Sequence, residues 1–146
     1  MNADSQLLGC IAQERNVLGA VMLSGSLREV VAGVMEDSDW VSPDHLTIWK
    51  VLRDGKSTHV EAVIANLDAI RALDHIGGEP YVASCIGTMA CVYVRFPESF
   101  DDCLRWLHEC GRRRRDEGAV MTRAAAEVQD IRAGSKPHWW DEYEEA

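Results

Sequence analysis

The chain has 146 residues, 47% of them hydrophobic and 27% charged, with a formal net charge of -9. This length supports one core without staples. No apolar run approaches the roughly 18 residues of a membrane span, and the start Met1-Asn2-Ala3-Asp4 lacks the basic character of a signal or transit peptide, so the expected location is the cytoplasm. Basic residues are outnumbered in every section, 7 to 12 over residues 1–97, 7 to 8 over 98–133 and 1 to 4 from Gly134 onward. A face built chiefly to neutralise phosphates is therefore disfavoured as the main feature.

The first ten residues read as a frayed end. Gln13 to Leu23 follows as the most hydrophobic helical stretch: Val17, Leu18, Val21 and Met22 form an inward stripe that Leu7 and Ile11 extend upstream. Gly19 interrupts it with a residue that costs a helix about 1 kcal/mol against alanine, which points to another backbone packed closely there. Ser24-Gly25-Ser26 ends this helix, and Ser26 with Glu29 predicts a capping box for a second. Its apolar face is Leu27, Val30, Val31, Val34 and Met35.

After the acidic loop Glu36-Asp37-Ser38-Asp39 and Trp40, Ser42-Pro43 predicts a third helix with an N-cap serine and proline in the first turn. Its inward face is His45, Ile48, Trp49 and Leu52, with His45 read as a satisfied group at the edge of the core. Asp54-Gly55-Lys56-Ser57 ends like a phosphate-binding loop, but Lys50 stands at the first glycine position and a helix precedes it, so it reads as a turn. Thr58 and Glu61 predict a capping box for a fourth helix carrying Val60, Val63, Ile64, Leu67 and Ile70.

Leu73 to Gly78 stops that helix, with the paired glycines supplying left-handed backbone. Pro80 opens a fifth, with Tyr81, Val82, Cys85, Ile86 and Met89. The pattern over Ala90 to Arg95 is ambiguous, and Phe96 before Pro97 ends a connection. From Pro97 a last helix places Phe100, Cys103, Leu104, Leu107 and Cys110 on one face. Gly111 to Gly118, with Arg112 to Arg115 inside it, interrupts the stripe before Val120, Met121, Ala124, Ala125, Val128 and Ile131 resume it. One long helix with a solvated girdle and two helices hinged at the glycines fit the pattern equally. Gly134 to Pro137 is a stop, followed by an acidic, aromatic-containing tail.

No stretch alternates like a half-buried strand. The expected fold is all-α, a compact bundle of about six helices, divided into a flexible N-terminus (1–10), a helical head (11–96), a long helix or hinged pair (97–133) and a flexible tail (134–146). Five cysteines without a Cys-x-x-Cys pair give no zinc framework and read as reduced core residues. No metal, cofactor or catalytic constellation is expected: His45 with Asp44 and His75 with Asp74 are sequence neighbours whose side chains diverge.

Several motifs together resemble the N-terminal domain of bacterial DnaB-type replicative helicases. They are Glu14 with Val17-Leu18-Gly19-Ala20, then Trp40, His45 and Ile48-Trp49, then Leu73, Gly77-Gly78 and Tyr81-Val82. The resemblance runs from about Glu14 to Arg113. The sequence departs from the family in a third helix about one turn short, in His59 where Asp is usual, and in Ala90 to Val94 replacing a Pro-Ser-Ala-Ala-Asn-like stretch. Residues 98–133 match the first helix of the family's helical hairpin, the tail replaces the second, and the RecA-like motor has no counterpart.

The resemblance implies a non-catalytic protein-interaction module of DNA replication that binds a replicative helicase, a primase or a helicase loader. It also implies a homodimer paired through Leu104, Leu107, Val120, Met121, Ala124 and Val128. The alternative is a small DNA-binding regulator using Arg112, Arg113, Arg114 and Arg115; consecutive arginines point all around a helix, and Glu109, Asp116 and Glu117 flank them.

Overall fold

In the computed structural model residues 3–132 are described, with side chains from 4 to 118. Two compact units divide the chain, Met1–Gly111 and Arg112–Ala146. Helix α1 (Ala3–Leu23) is the organising element, as its stripe predicts, and it packs against α3 (Pro43–Asp54) and α7 (Thr88–Arg95). Val17, Leu18, Ala20 and Val21 are all fully buried. Helix α1 already runs from Ala3, through most of the stretch expected to fray. Cys10 is buried and the Gln6 amide Nε2 lies 3.3 Å from Cys110 Sγ, so contacts far along the chain hold these turns.

The approach predicted at Gly19 is present. A Cβ built there would stand 1.9 Å from the Cys85 carbonyl oxygen and 2.5 Å from its carbon, so only glycine admits that backbone against α1. Gly33, in α2 (Leu27–Val34), has nothing within 4 Å of a built Cβ. Gly33→Ala is therefore expected to raise stability by about 0.5–1 kcal/mol, read from the urea midpoint, through helix propensity alone.

Neither expected capping box forms. Ser26 has helical backbone angles and its Oγ meets Ser24 Oγ at 3.1 Å. Thr58 is displaced by His59, whose Nδ1 accepts the Glu61 N–H at 3.4 Å as the cap of α4 (Val60–Ala69). The imidazole thus does the capping work that an Asp would do at that position. Ser42 caps α3 as expected, accepting the His45 N–H at 3.3 Å. The phosphate-loop look-alike is a turn: its Gly55 carbonyl accepts from Arg28 Nη1 at 2.7 Å, whereas a phosphate loop turns N–H groups toward its anion.

The expected six helices become eight α-helices and a 3-10 turn (Asp37–Asp39) among the described residues, with no strand. Leu73–Ile76 is a one-turn helix, α5, ended by Gly77 at φ 119°. The predicted fifth helix breaks at extended Gly87 into α6 (Gly78–Ser84) and α7. The break lies where the Cys85 carbonyl meets Gly19, so a tertiary contact decides it. Ala90 to Arg95, ambiguous by pattern, belongs to α7.

Helix α8 (Pro97–Arg132) runs without a break. Gly111 serves close packing rather than a hinge, since a Cβ there would come 2.1 Å from Asp39 Oδ1 and 2.8 Å from its Cα. The tail 134–146 lies outside the described residues. No helix among those described is long and apolar enough to cross a membrane.

Candidate functional site

Glu14 lies on the inward stripe of α1, one turn before Val17 and Leu18, and is fully buried. A carboxylate there must be satisfied by donors. Its Oε2 accepts the Val41 N–H at 2.6 Å, and its Oε1 accepts the Ser42 N–H at 3.2 Å and lies 2.9 Å from His45 Nδ1. Ser42 both caps α3 and presents its N–H, which fixes His45 one turn inside the helix. His45 Nε2 then meets the Tyr81 hydroxyl of α6 at 2.5 Å, with the two rings stacked at 6.0 Å. Arg15 lies over the phenol ring, its guanidinium 5.5 Å from the ring centre and donating to the Ser84 carbonyl at 3.1 Å.

A carboxylate–imidazole–hydroxyl series has the order of a catalytic relay, but its chemistry runs the other way. Burial above all pushes the Tyr81 hydroxyl above its ordinary pKa, where an activated nucleophile needs a lowered one. In the neutral imidazole Nδ1 carries the proton, because a carboxylate only accepts, so Nε2 accepts from Tyr81. The network therefore ties α1, α3 and α6 together. The reading of His45 as a satisfied core group holds.

Two further polar clusters escaped the sequence reading. Buried Asp39 accepts the Glu36 N–H at 2.8 Å and lies 2.7 Å from His108 Nδ1 on α8. Gln13 Oε1 accepts from the Tyr93 hydroxyl at 2.5 Å, from Asn16 Nδ2 at 3.4 Å and from the Cys103 thiol at 3.6 Å. Glu14 could have been noticed as the one charged member of the series Leu7, Ile11, Glu14, Leu18, Val21. Asp39 and His108 are 69 positions apart and carry no such signal.

The cysteines are free thiols, and only Cys91 is exposed. Burial raises the Cys103 thiol and pushes Cys85 up to about 11, the opposite of reactive or metal-binding thiols. No group that could hold a metal ion occurs among the described residues.

The candidate self-association face is corrected at its first two members. Leu104 and Leu107 are 0% and 1% exposed, packed inside the Met1–Gly111 unit, so they have no surface to offer a second chain. Their stripe is used by the chain's own core. The side chains of Val120, Met121, Ala124 and Val128 lie outside those described. In the other unit Arg112 and Arg113 are exposed and Arg114 and Arg115 half-buried, and Arg112 Nη1 pairs with Asp116 Oδ2 at 3.4 Å.

Fold and network define an all-α domain whose buried ionisable groups lock helices to one another. The chain belongs to the DnaB-like helicase N terminal domain family, whose model matches residues 7–94. Every motif that carried the resemblance lies within that range. It is 29% identical over 142 residues, 83% of this chain, to the replicative DNA helicase DnaB of Mycobacterium leprae, of which it spans 23%. It is also similar to the crystal structure of the N-terminal domain of DnaB helicase from Mycobacterium tuberculosis. The TM-score is 0.66 at 25% identity, over 84% of each chain.

Proposed function

We propose that this chain is a protein-interaction module of DNA replication that docks on a replicative helicase, its primase or its loader and catalyses nothing itself. The observation that carries the reading is that the family motifs turn inward. Glu14, His45 and Tyr81 are consumed in holding the head, so a role beyond folding belongs to the outer surface. The match to an N-terminal-domain family, and to only 23% of a helicase relative, supports the same division of labour. Affinity capture and titration against a DnaB-type helicase and its primase test it. Saturable binding to at least one is expected, with ATPase activity at background. Binding to neither overturns the proposal.

The DNA-binding alternative makes a separable prediction. Arg112 is already paired with Asp116 at 3.4 Å, and the section of chain around the arginines carries 7 basic against 8 acidic residues. Changing Arg112 to Arg115 together to alanine is expected to alter duplex-DNA binding less than twofold in a gel shift at about 0.15 M salt, where condensed counterions weaken isolated phosphate contacts. A salt-dependent shift lost in that variant would move the assignment to DNA.

A further inference from the structure

Within the Met1–Gly111 unit, α1, α7 and the start of α8 leave an open groove of about 510 Å³. Gly9, Gln13, Tyr93 and Cys103 line it together with Met89 and Trp106, and Ser99 and Asp102 complete its wall. Trp106 and Met89 are each 38% exposed, and both belong to residue types that serve as interface anchors or adaptable binding surfaces. Two polar features give the groove direction. Gln13 Oε1 is taken by three donors, while its Nε2, which is not sealed from solvent, donates to no described residue. Asp102 has no ion-pair or hydrogen-bond partner among the described residues, and no Lys or Arg lines the groove.

We infer that this groove docks an amphipathic helix of a protein partner that inserts an aromatic or long apolar side chain beside Trp106 and places a lysine or arginine one turn away against Asp102. The inference rests on the reading of the chain as a docking module and names the chemistry of its partner. The apolar wall supplies burial, and the Asp102 carboxylate, in a lining without a basic side chain, favours a cation from the partner. The Gln13 amide supplies a donor for a carbonyl of the incoming chain.

Gly9 offers a fold-preserving test. A Cβ there would meet the Trp106 ring at an ordinary 3.5 Å, so Gly9→Leu can seat its first carbon and fill the groove with the rest. The probe is a synthetic 16-residue amphipathic helical peptide with a phenylalanine anchor and a lysine one turn on. It is titrated into the labelled full chain while the Trp106 indole and Met89 methyl NMR signals are followed. Saturable shifts confined to those signals are expected. Gly9→Leu should abolish them, and Asp102→Lys, or glutamate for lysine in the peptide, should weaken binding at least tenfold. Absence of shifts, or shifts indifferent to Gly9→Leu and Asp102→Lys, overturns the groove. Helicase or primase capture by the Gly9→Leu chain then shows separately whether the docking reading stands without it.

Discussion

Gly19→Ala is expected to cost at least about 3 kcal/mol of folding stability, well above the usual range for one added methyl group. The built Cβ lies 1.9 Å from Cys85 O, 2.5 Å from Cys85 C and 3.0 Å from Ala90 Cβ. The two nearest atoms are backbone, so no rotamer change relieves the clash; α1 and the α6–α7 junction must separate. That parting opens the α1–α7 interface, where Ala90 is fully buried against Gly19. Alanine's helix propensity recovers only about 1 kcal/mol. Urea denaturation followed by circular dichroism measures the change, with Gly33→Ala as the open-space control. A Gly19→Ala protein within about 0.5 kcal/mol of wild type would show that α1 does not need this approach.

The legible parts of this fold are those decided within a turn or two of chain. The stripe around Val17 and Leu18, the Ser42-Pro43 helix start, left-handed Gly77 and Gly78 and the Phe96-Pro97 break each arise from local sterics or from period-3.6 burial. Gly19 was legible for the same reason, as a costly residue in an otherwise favourable helix. What the pattern missed depends on residues distant in sequence. The break at Gly87 follows from the contact between Cys85 and Gly19. Gly111 fits a hinge or a solvated girdle until Asp39 is brought beside it.

On the apolar face of α8, Leu104 and Leu107 are covered by the chain's own core. Periodicity gives the direction of Leu104 and Leu107 relative to their own helix, and nothing about which surface covers them. Local rules also failed at the caps, because Ser26 adopts helical angles and His59 takes the place of Thr58. At the candidate site the histidine's role was legible, but the acid that orients it was recognised only as part of a family motif.

Glu14→Gln, which keeps the volume and removes only the charge and one acceptor atom, is expected to cost about 3 kcal/mol, and Glu14→Ala about 3–5. In the wild type the carboxylate receives Val41 N–H on one oxygen and Ser42 N–H with His45 Nδ1 on the other. An amide NH₂ at the first position faces the Val41 donor directly. With the amide flipped, the NH₂ faces Ser42 and forces His45 to the other tautomer, so its Nε2–H must find an acceptor in a reoriented Tyr81 hydroxyl. Either arrangement leaves at least one buried backbone N–H against another donor. Phenylalanine at Tyr81 should be milder, about 1 kcal/mol, because it removes a single neutral hydrogen bond. The two substitutions should also be non-additive, since Tyr81 already loses part of its bond when His45 turns. Urea midpoints for both single variants and the pair measure these terms. Loss of less than about 1 kcal/mol in Glu14→Gln would mean that the carboxylate is dispensable to the link between α1, α3 and α6. The claim that this inward-turned motif is consumed in holding the head would then fail.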